Sequence, residues 1–349
     1  MMTFRRGLRD FKLPMSTVWL MSDIAEAKGR QELYTKQAPQ LLKALREMAM
    51  VESVESSNRI EGVTVAPDRL RPLVLSNTRP RDRSEEEIQG YRNALQRIHA
   101  GAADLPAASK TLRELHGIIQ AGGGDAGEWK TANNDIIEFR PGAPPRLRFR
   151  TLAAREAPKA VEEMCLLYHH ALDQEHVPAL VAIASLVLDF LCIHPFRDGN
   201  GRVSRLLTVL ALYHAGIEVG RYISLERLIE ESKEDYYAVL HASSTGWHDG
   251  KHDLLPWLNY FLAIIRRAFV HFEERAGQVK SPRGTKTELL LSTIRQLKSP
   301  FRISDLQRAC PGVGLDWIRK VLKDLRSKGE LECLGRGPQA EWQRLSKGK

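Results

Sequence analysis

The chain has 349 residues, of which 43% are hydrophobic and 27% charged, a balance that excludes a disordered or fibrous protein and allows two or three globular domains. The four cysteines, at positions 165, 192, 310 and 333, are scattered without a CxxC pair, which argues against a disulfide framework or zinc site and for reduced thiols in a cytosol. Net charge is +9, but residues 281–349 alone hold 15 Lys/Arg against 7 Asp/Glu, so the basic surplus belongs to one C-terminal segment and points to a nucleic-acid contact there.

The N-terminal stretch MMTFRRGLRDFKLPMS has no apolar h-region, so no signal peptide is expected. The longest apolar run, residues 177–193, contains Pro178 and Asp189 and is short for a membrane span. It reads as a buried helix with Cys192 as packing, and the chain as cytoplasmic. Helical periodicity dominates elsewhere. Two helices are predicted over 17–34 and 38–62, the second with Leu41, Leu45 and Met48 on related turns and Gly62 as terminator. Two more follow over 84–101 and 108–124, both ending at Gly. Residues 127–150 differ: DIIEF and RLRFR alternate around the turn cluster RPGAPP, predicting a hairpin. Helices resume at about 155–174, 178–193, 200–215, 224–243 and 253–275.

The Gly/Pro/Lys-rich stretch GQVKSPRGTK, residues 277–286, marks a boundary. Beyond it come a helix over 286–298 and a second opening on a capping box, Ser304 and Gln307. An amphipathic third over 314–329 carries Ile318, Val321, Leu322 and Leu325 on one face, and two short strands follow at 330–334 and 341–345. Three helices then two strands is the order of a winged helix-turn-helix. Arg319, Lys320, Lys323, Arg326 and Lys328 lie mostly off the apolar face of the third helix and could meet DNA. A protein contact, or docking on the enzyme body, is the other reading. The fold class is mainly all-α.

HPFRDGNGRVSR, residues 194–205, interrupts two apolar helices. Pro195 should end the first helix near Ile193. The second then begins around Gly201, where unpaired N–H groups and the positive dipole end make an anion cradle. The glycines let the backbone curl closely round a ligand. Arg202 and Arg205 add forked donors for phosphate, Asp198 suits a hard cation such as Mg²⁺, and His194 can take a proton from an attacking hydroxyl. No Walker A loop occurs. Together these parts describe phosphoryl or nucleotidyl transfer.

The string resembles the Fic motif, HxFx(D/E)GNGRxxR, at every fixed position, with likeness in the surrounding helices over roughly residues 105–275. The resemblance implies transfer of AMP from ATP onto a Ser, Thr or Tyr hydroxyl of a protein, with Mg²⁺ and release of pyrophosphate. It implies His194 as base, Asp198 as metal ligand, and Asn200 with the backbone of Gly199 and Gly201 as the hole for the α-phosphate. Arg202 and Arg205 fall at the distal phosphates, with Arg197 counted beside them, and Phe196 is the buried anchor. Doc-like phosphotransferases usually carry Lys at the position of Gly201.

Upstream, SNRIEG resembles the (S/T)xxxE(G/N) inhibitory motif of many Fic proteins. Ser57 and Glu61, four apart, share a helix face, and Gly62 follows. By themselves they read equally as a helix end with its cap. With the inhibitory motif, Glu61 pairs with Arg205 and denies it to the γ-phosphate. In some such proteins the same Glu positions water for removal of AMP. The hairpin sits where Fic proteins carry a flap, so Asp135, Ile136 and Ile137 would align an extended target segment. Tyr236 and Tyr237 are candidates for an adenine wall, or for core packing. The organisation expected is 1–104 N-terminal helical region, 105–276 catalytic domain, 277–285 linker and 286–349 winged helix-turn-helix. A homodimer could couple to inhibition, and no membrane partner is expected. A nucleotide-sensing DNA-binding regulator with little turnover is the rival reading.

Overall fold

The structure, a computed structural model, describes residues 1–35, 39–76, 78–121, 123–138, 144–277, 285–297, 299–309, 313–335 and 340–345. The chain divides into two units, Met1–Gly277 and Gln278–Lys349. The first contains α1 (Met15–Thr35), α2 (Pro39–Ile60), α3 (Pro67–Leu75), α4 (Arg83–Gly101), α5 (Ser109–Ile119), strands β1 (Ile136–Glu138) and β2 (Arg146–Phe149), then α6 (Ala157–Asp173), α7 (Ala179–Ile193), α8 (Asn200–His214), α9 (Leu225–Glu231), α10 (Lys233–Ser244) and α11 (Leu255–Gly277). The second contains α12 (Thr285–Gln296), β3 (Phe301–Arg302), α13 (Ile303–Ala309), α14 (Leu315–Ser327), β4 (Leu331–Leu334) and β5 (Glu341–Arg344). The molecule is mainly helical, as its periodicity predicts.

The core of the first unit is built round α7 and α8. A helix apolar on every side must be surrounded, and α7 is buried from Leu180 to Phe190. It packs on α6, α8, α10 and α11. Its one acid, Asp189, is fully buried and accepts from Thr3 N, Thr3 Oγ1 and Trp247 Nε1. Burial pushes that carboxyl up to about 6. On the other side of α8 stand α4 and α5, with α2 crossing between α4, α8 and α9.

Several elements depart from expectation. Helix α3 is absent from the pattern because it is short and carries Pro72 inside. The stripe on α2 is shifted: Leu42, Leu45 and Ala49 are buried and Met48 is exposed, while the side chain of Leu41 lies outside the described residues. Helix α5 stops at Ile119, before the glycine run. The helix predicted over 224–243 is two, broken at Ser232, whose hydroxyl bonds Leu228 O and Tyr260 OH instead of leaving the backbone regular. The hairpin forms, with its turn at 139–143 outside the described residues. Its register slips between Ile136, opposite Phe149, and Ile137, opposite Leu147, so Arg148 is the extra residue of a bulge.

The second unit has its own core, including Leu290, Phe301, Leu306, Ile318, Leu322 and Trp342. Ile318, Val321, Leu322 and Leu325 are buried as the amphipathic pattern predicts. A short strand, β3, adds to the two expected, giving sheet order β3-β5-β4. The capping box at Ser304 and Gln307 does not form. α13 opens at Ile303, two residues before a Ser304 cap would start it, and Asp305 accepts from the N–H of Arg302 instead. Among the described residues, no helix is long and apolar enough to cross a membrane. Cys165, Cys192 and Cys333 are free thiols; Cys310 lies outside the described residues.

Candidate active site

Helix α7 ends at Ile193, and His194 caps it in the left-handed region at φ 51°. That conformation costs a non-glycine residue about 1–3 kcal/mol, so the surroundings must hold it. Lys130 does much of this. Its backbone N–H donates to Pro195 O at 2.9 Å, and its buried ammonium reaches Ile193 O at 3.3 Å and Thr151 Oγ1 at 3.0 Å. Burial lowers the Lys130 pKa to about 8. Asn134 Nδ2 donates to Phe196 O at 2.8 Å and Arg197 O at 3.1 Å. Phe196 is fully buried, stacked on His116 at 3.9 Å with Trp129 at 4.9 Å.

Asn200 ties the loop to itself: Oδ1 accepts from Phe196 N at 2.9 Å and Nδ2 donates to Phe196 O at 2.8 Å. Its side chain is therefore occupied, and the donors open to a ligand are backbone N–H groups of the first turn of α8, which have no helical partner. Gly199, at φ 76°, makes the turn into that helix.

His194 lines a cavity of about 350 Å³. Its Nδ1 faces Leu191 O at 3.3 Å, so the proton belongs on Nδ1 and the Nε2 lone pair is free. Burial, with Lys130 second, lowers its pKa to about 4. The ring is neutral at pH 7, with its Nε2 lone pair unprotonated.

Arg205 enters the same cavity from α8. It is 4% exposed. Nε donates to Ser57 Oγ at 2.8 Å, and Nη2 donates to Ser57 O at 2.9 Å and to Glu61 Oε1 at 2.7 Å. Burial opposes the Arg205 charge, and the Glu61 carboxylate more than offsets it, leaving the pKa above its ordinary value. Glu61 sits in the turn that ends α2, its N–H on Asn58 O, with Gly62 next at φ 84°. Its carboxylate lies over the start of α8: a Cβ at Gly201 would overlap Oε1 and stand 3.3 Å from Arg205 Nη1. A buried acid, Glu226, supports α2 and α4 behind this pair by accepting from Tyr91 OH at 2.8 Å and Ser53 Oγ at 2.7 Å.

Arg202 points elsewhere and is 1% exposed. Nη1 donates to Glu87 Oε2 at 2.7 Å, and Nη2 is 3.6 Å from Asp198 Oδ2. Asp198 is exposed; its Oδ1 accepts from Gly199 N at 2.6 Å and its Oδ2 from Gln120 at 3.4 Å. Asp198 and Arg197 border a second cavity of about 420 Å³, along with Glu87 and Gln120. Asp198 is a hard oxygen donor with lone pairs open beside the helix start. A single carboxylate suits Mg²⁺, which takes its other ligands from phosphates and water.

The hairpin borders the His194 cavity. Asp135 Oδ1 closes its base by accepting from Thr151 N at 3.1 Å. Ile136 lines the cavity, whereas Ile137 is 48% exposed and does not. The bulge turns Arg148 inward, over the Tyr237 ring at 5.0 Å and onto Tyr237 O at 2.5 Å. Tyr236 and Tyr237 both line the cavity, their rings edge to face at 5.2 Å. Tyr236 is otherwise packed on Trp257 and Tyr260. Cys192 is a buried wall residue, its thiol pushed well up by burial. Lys130, Asn134, Arg148 and Glu87 were not identified from the sequence. Each acts on a partner at least 60 residues away, and no local pattern marks them.

Residues 106–212 match the Fic/DOC family model. Over 106 residues the chain is 31% identical to a protein adenylyltransferase, fic-1, of Caenorhabditis briggsae; the match covers 30% of this chain and 17% of that one. The fold is similar to the crystal structure of a Fic family protein from Desulfovibrio desulfuricans G20, with TM-score 0.64 and 21% identity over 97% of this chain and 98% of that one. It is also similar to a Fic domain containing signaling protein from Bacteroides thetaiotaomicron VPI-5482, with TM-score 0.61 and 22% identity over 73% and 97%.

Proposed function

The chain carries a Fic/DOC family domain, and from that premise we propose that it is a protein adenylyltransferase, moving AMP from ATP to a Ser, Thr or Tyr hydroxyl of a target protein or of itself, and restrained by Glu61. The observation that carries this reading is one cavity lined by His194, the start of α8 and Arg205, with the Glu61 carboxylate inside it. The neutral His194 takes the hydroxyl proton at Nε2 as the hydroxyl oxygen attacks the α-phosphorus. The bond from that phosphorus to the bridging oxygen breaks, and pyrophosphate leaves. The backbone N–H groups at Asn200 and Gly201 stabilise the charge on the α-phosphate oxygens. Asp198 would hold Mg²⁺, whose chemistry there is to neutralise phosphate charge. Tyr236 and Tyr237 are assigned the base, and the hairpin edge, with Asp135, Ile136 and Ile137, the target segment.

Glu61 places a negative charge on Arg205 and on the helix start, where distal phosphates would bind. Losing a charge-assisted bond of about 1.5–3 kcal/mol corresponds to a gain of roughly 10- to 150-fold in automodification for Glu61→Gly. Labelled ATP tests it; equal rates in the wild type and Glu61→Gly would remove the restraint. Removal of AMP is the second reading, supported by a Glu61 carboxylate 31% exposed in the cavity that holds His194. An AMP-bearing product losing its adduct only while Glu61 is intact distinguishes it.

The organisation proposed is an N-terminal region over 1–104, catalytic domain over 105–276, linker over 277–285 and winged helix over 286–349. Arg319, Lys320, Lys323, Arg326 and Lys328 are all exposed on or just after α14, which supports a DNA contact by that helix.

A further inference from the structure

Two carboxylates outside the family-matched segment bind Arg202 and Arg205 at the start of α8, and they do so differently. Glu61 lies in the His194 cavity, where phosphates would go. Glu87, on α4, borders the other cavity, behind Asp198. It is held between exposed Arg83, whose Nε donates to Oε1 at 3.1 Å, and buried Arg202, whose Nη1 donates to Oε2 at 2.7 Å. Arg202 also has a carboxylate one turn away on its own loop, Asp198, at 3.6 Å. Its Nε is buried without a partner.

A buried guanidinium seeks the nearest carboxylate, and two are in reach. With Glu87 taking Nη1, Arg202 stays short of a close pair with Asp198. Without that pull, Arg202 closes on Asp198 as an i, i+4 pair, and the carboxylate is lost to the cation of a triphosphate.

We propose that Glu87 is a positioning residue: by holding Arg202 Nη1 it keeps Nη2 3.6 Å from Asp198, so that this carboxylate stays open to a divalent cation. This rests on the nucleotidyl-transfer reading above. Glu61 and Glu87 then have opposite signs, since removing the first frees the site and removing the second closes it.

The test uses full-length Glu61→Gly and Glu61→Gly/Glu87→Gln. An AMP adduct on Glu61→Gly establishes the underlying reaction; its absence removes that reading and leaves Glu87 to be judged by binding alone. ATP is then titrated calorimetrically into both proteins with Mg²⁺ fixed, and Mg²⁺ with ATP fixed. Drawing Asp198 into a close pair at a cost of about 1 kcal/mol raises the Mg²⁺ needed for half-saturation about fivefold, and ATP binding at fixed Mg²⁺ weakens with it. A purely structural Glu87 lowers the melting temperature and leaves both affinities of the folded protein unchanged, which would overturn the proposal. So would higher automodification by Glu87→Gln with Glu61 intact. Should the Gln variant not fold, Glu87→Asp, one methylene short of Arg202, carries the same expectation.

Discussion

Gly201→Ala probes the contact between Glu61 and α8 without replacing Glu61 or Arg205. The added Cβ overlaps Glu61 Oε1 and comes to 3.1 Å from Cδ. The carboxylate must withdraw by on the order of 1 Å to regain van der Waals distance, which breaks its 2.7 Å bond to Arg205. That loss is about 1.5–3 kcal/mol, against a gain of up to about 1 kcal/mol from replacing a helical glycine. The wild type should lose roughly 1–2 kcal/mol. In Glu61→Gly there is nothing to strike, so the same substitution should be neutral or stabilising by up to about 1 kcal/mol. The coupling between the two positions is then about 2 kcal/mol, far outside the additivity expected of independent sites. Urea denaturation of the four proteins measures it. Coupling below about 0.5 kcal/mol would refute the claim that Glu61 lies on the first turn of α8.

Further tests follow from the same geometry. Lys130→Met removes a cation that lowers the His194 pKa; His194 should titrate higher by NMR, and automodification by Glu61→Gly should fall about tenfold or more as the loop loses its tie. His99, His194 and His252 are each lowered from 6.5 to about 4. They contribute stability that is full above 6.5 and lost as pH falls toward 4. Asp189, raised from 3.8 to about 6, acts in the opposite sense, its contribution full below 3.8 and lost as pH rises through 6. Three groups against one, with His116 also lowered by burial, make the protein less stable at pH 5 than at pH 7 by urea denaturation; equal or greater stability at pH 5 contradicts this. Lys320→Glu/Lys323→Glu in the full chain should abolish a salt-sensitive shift of duplex DNA, and no shift of the wild type at low salt would remove the DNA contact.

The loop at 194–205 was legible because its residues are wrong for a helix pair and right for an anion. Pro195 located the end of α7, and the unpaired N–H groups of α8 gave the cradle its place. What the sequence hid depends on partners distant in the chain. Nothing near Lys130 says that it lies buried beneath His194. The alternation of RLRFR gives strands, but not the slip that turns Arg148 onto Tyr237. Asn200 reads as a ligand donor, yet the loop consumes its side chain to hold Phe196. The break at Ser232 lacks Gly or Pro, and nothing in the polar run EESKED, residues 230–235, marks it. Ser57 and Glu61 were visible as a pair four apart, and the resemblance implied the Glu61–Arg205 pair; that Ser57 binds the same guanidinium is a matter of how α2 packs on α8.

His194 should act as the base for AMP transfer, with Glu61 as its restraint. Intact-mass analysis of the wild type, Glu61→Gly and Glu61→Gly/His194→Ala after incubation with Mg²⁺ and ATP tests it most directly. AMP adducts are expected on Glu61→Gly, few on the wild type and none on the double variant. Adducts that survive the loss of His194, or Glu61→Gly free of adduct while still binding ATP, would contradict it.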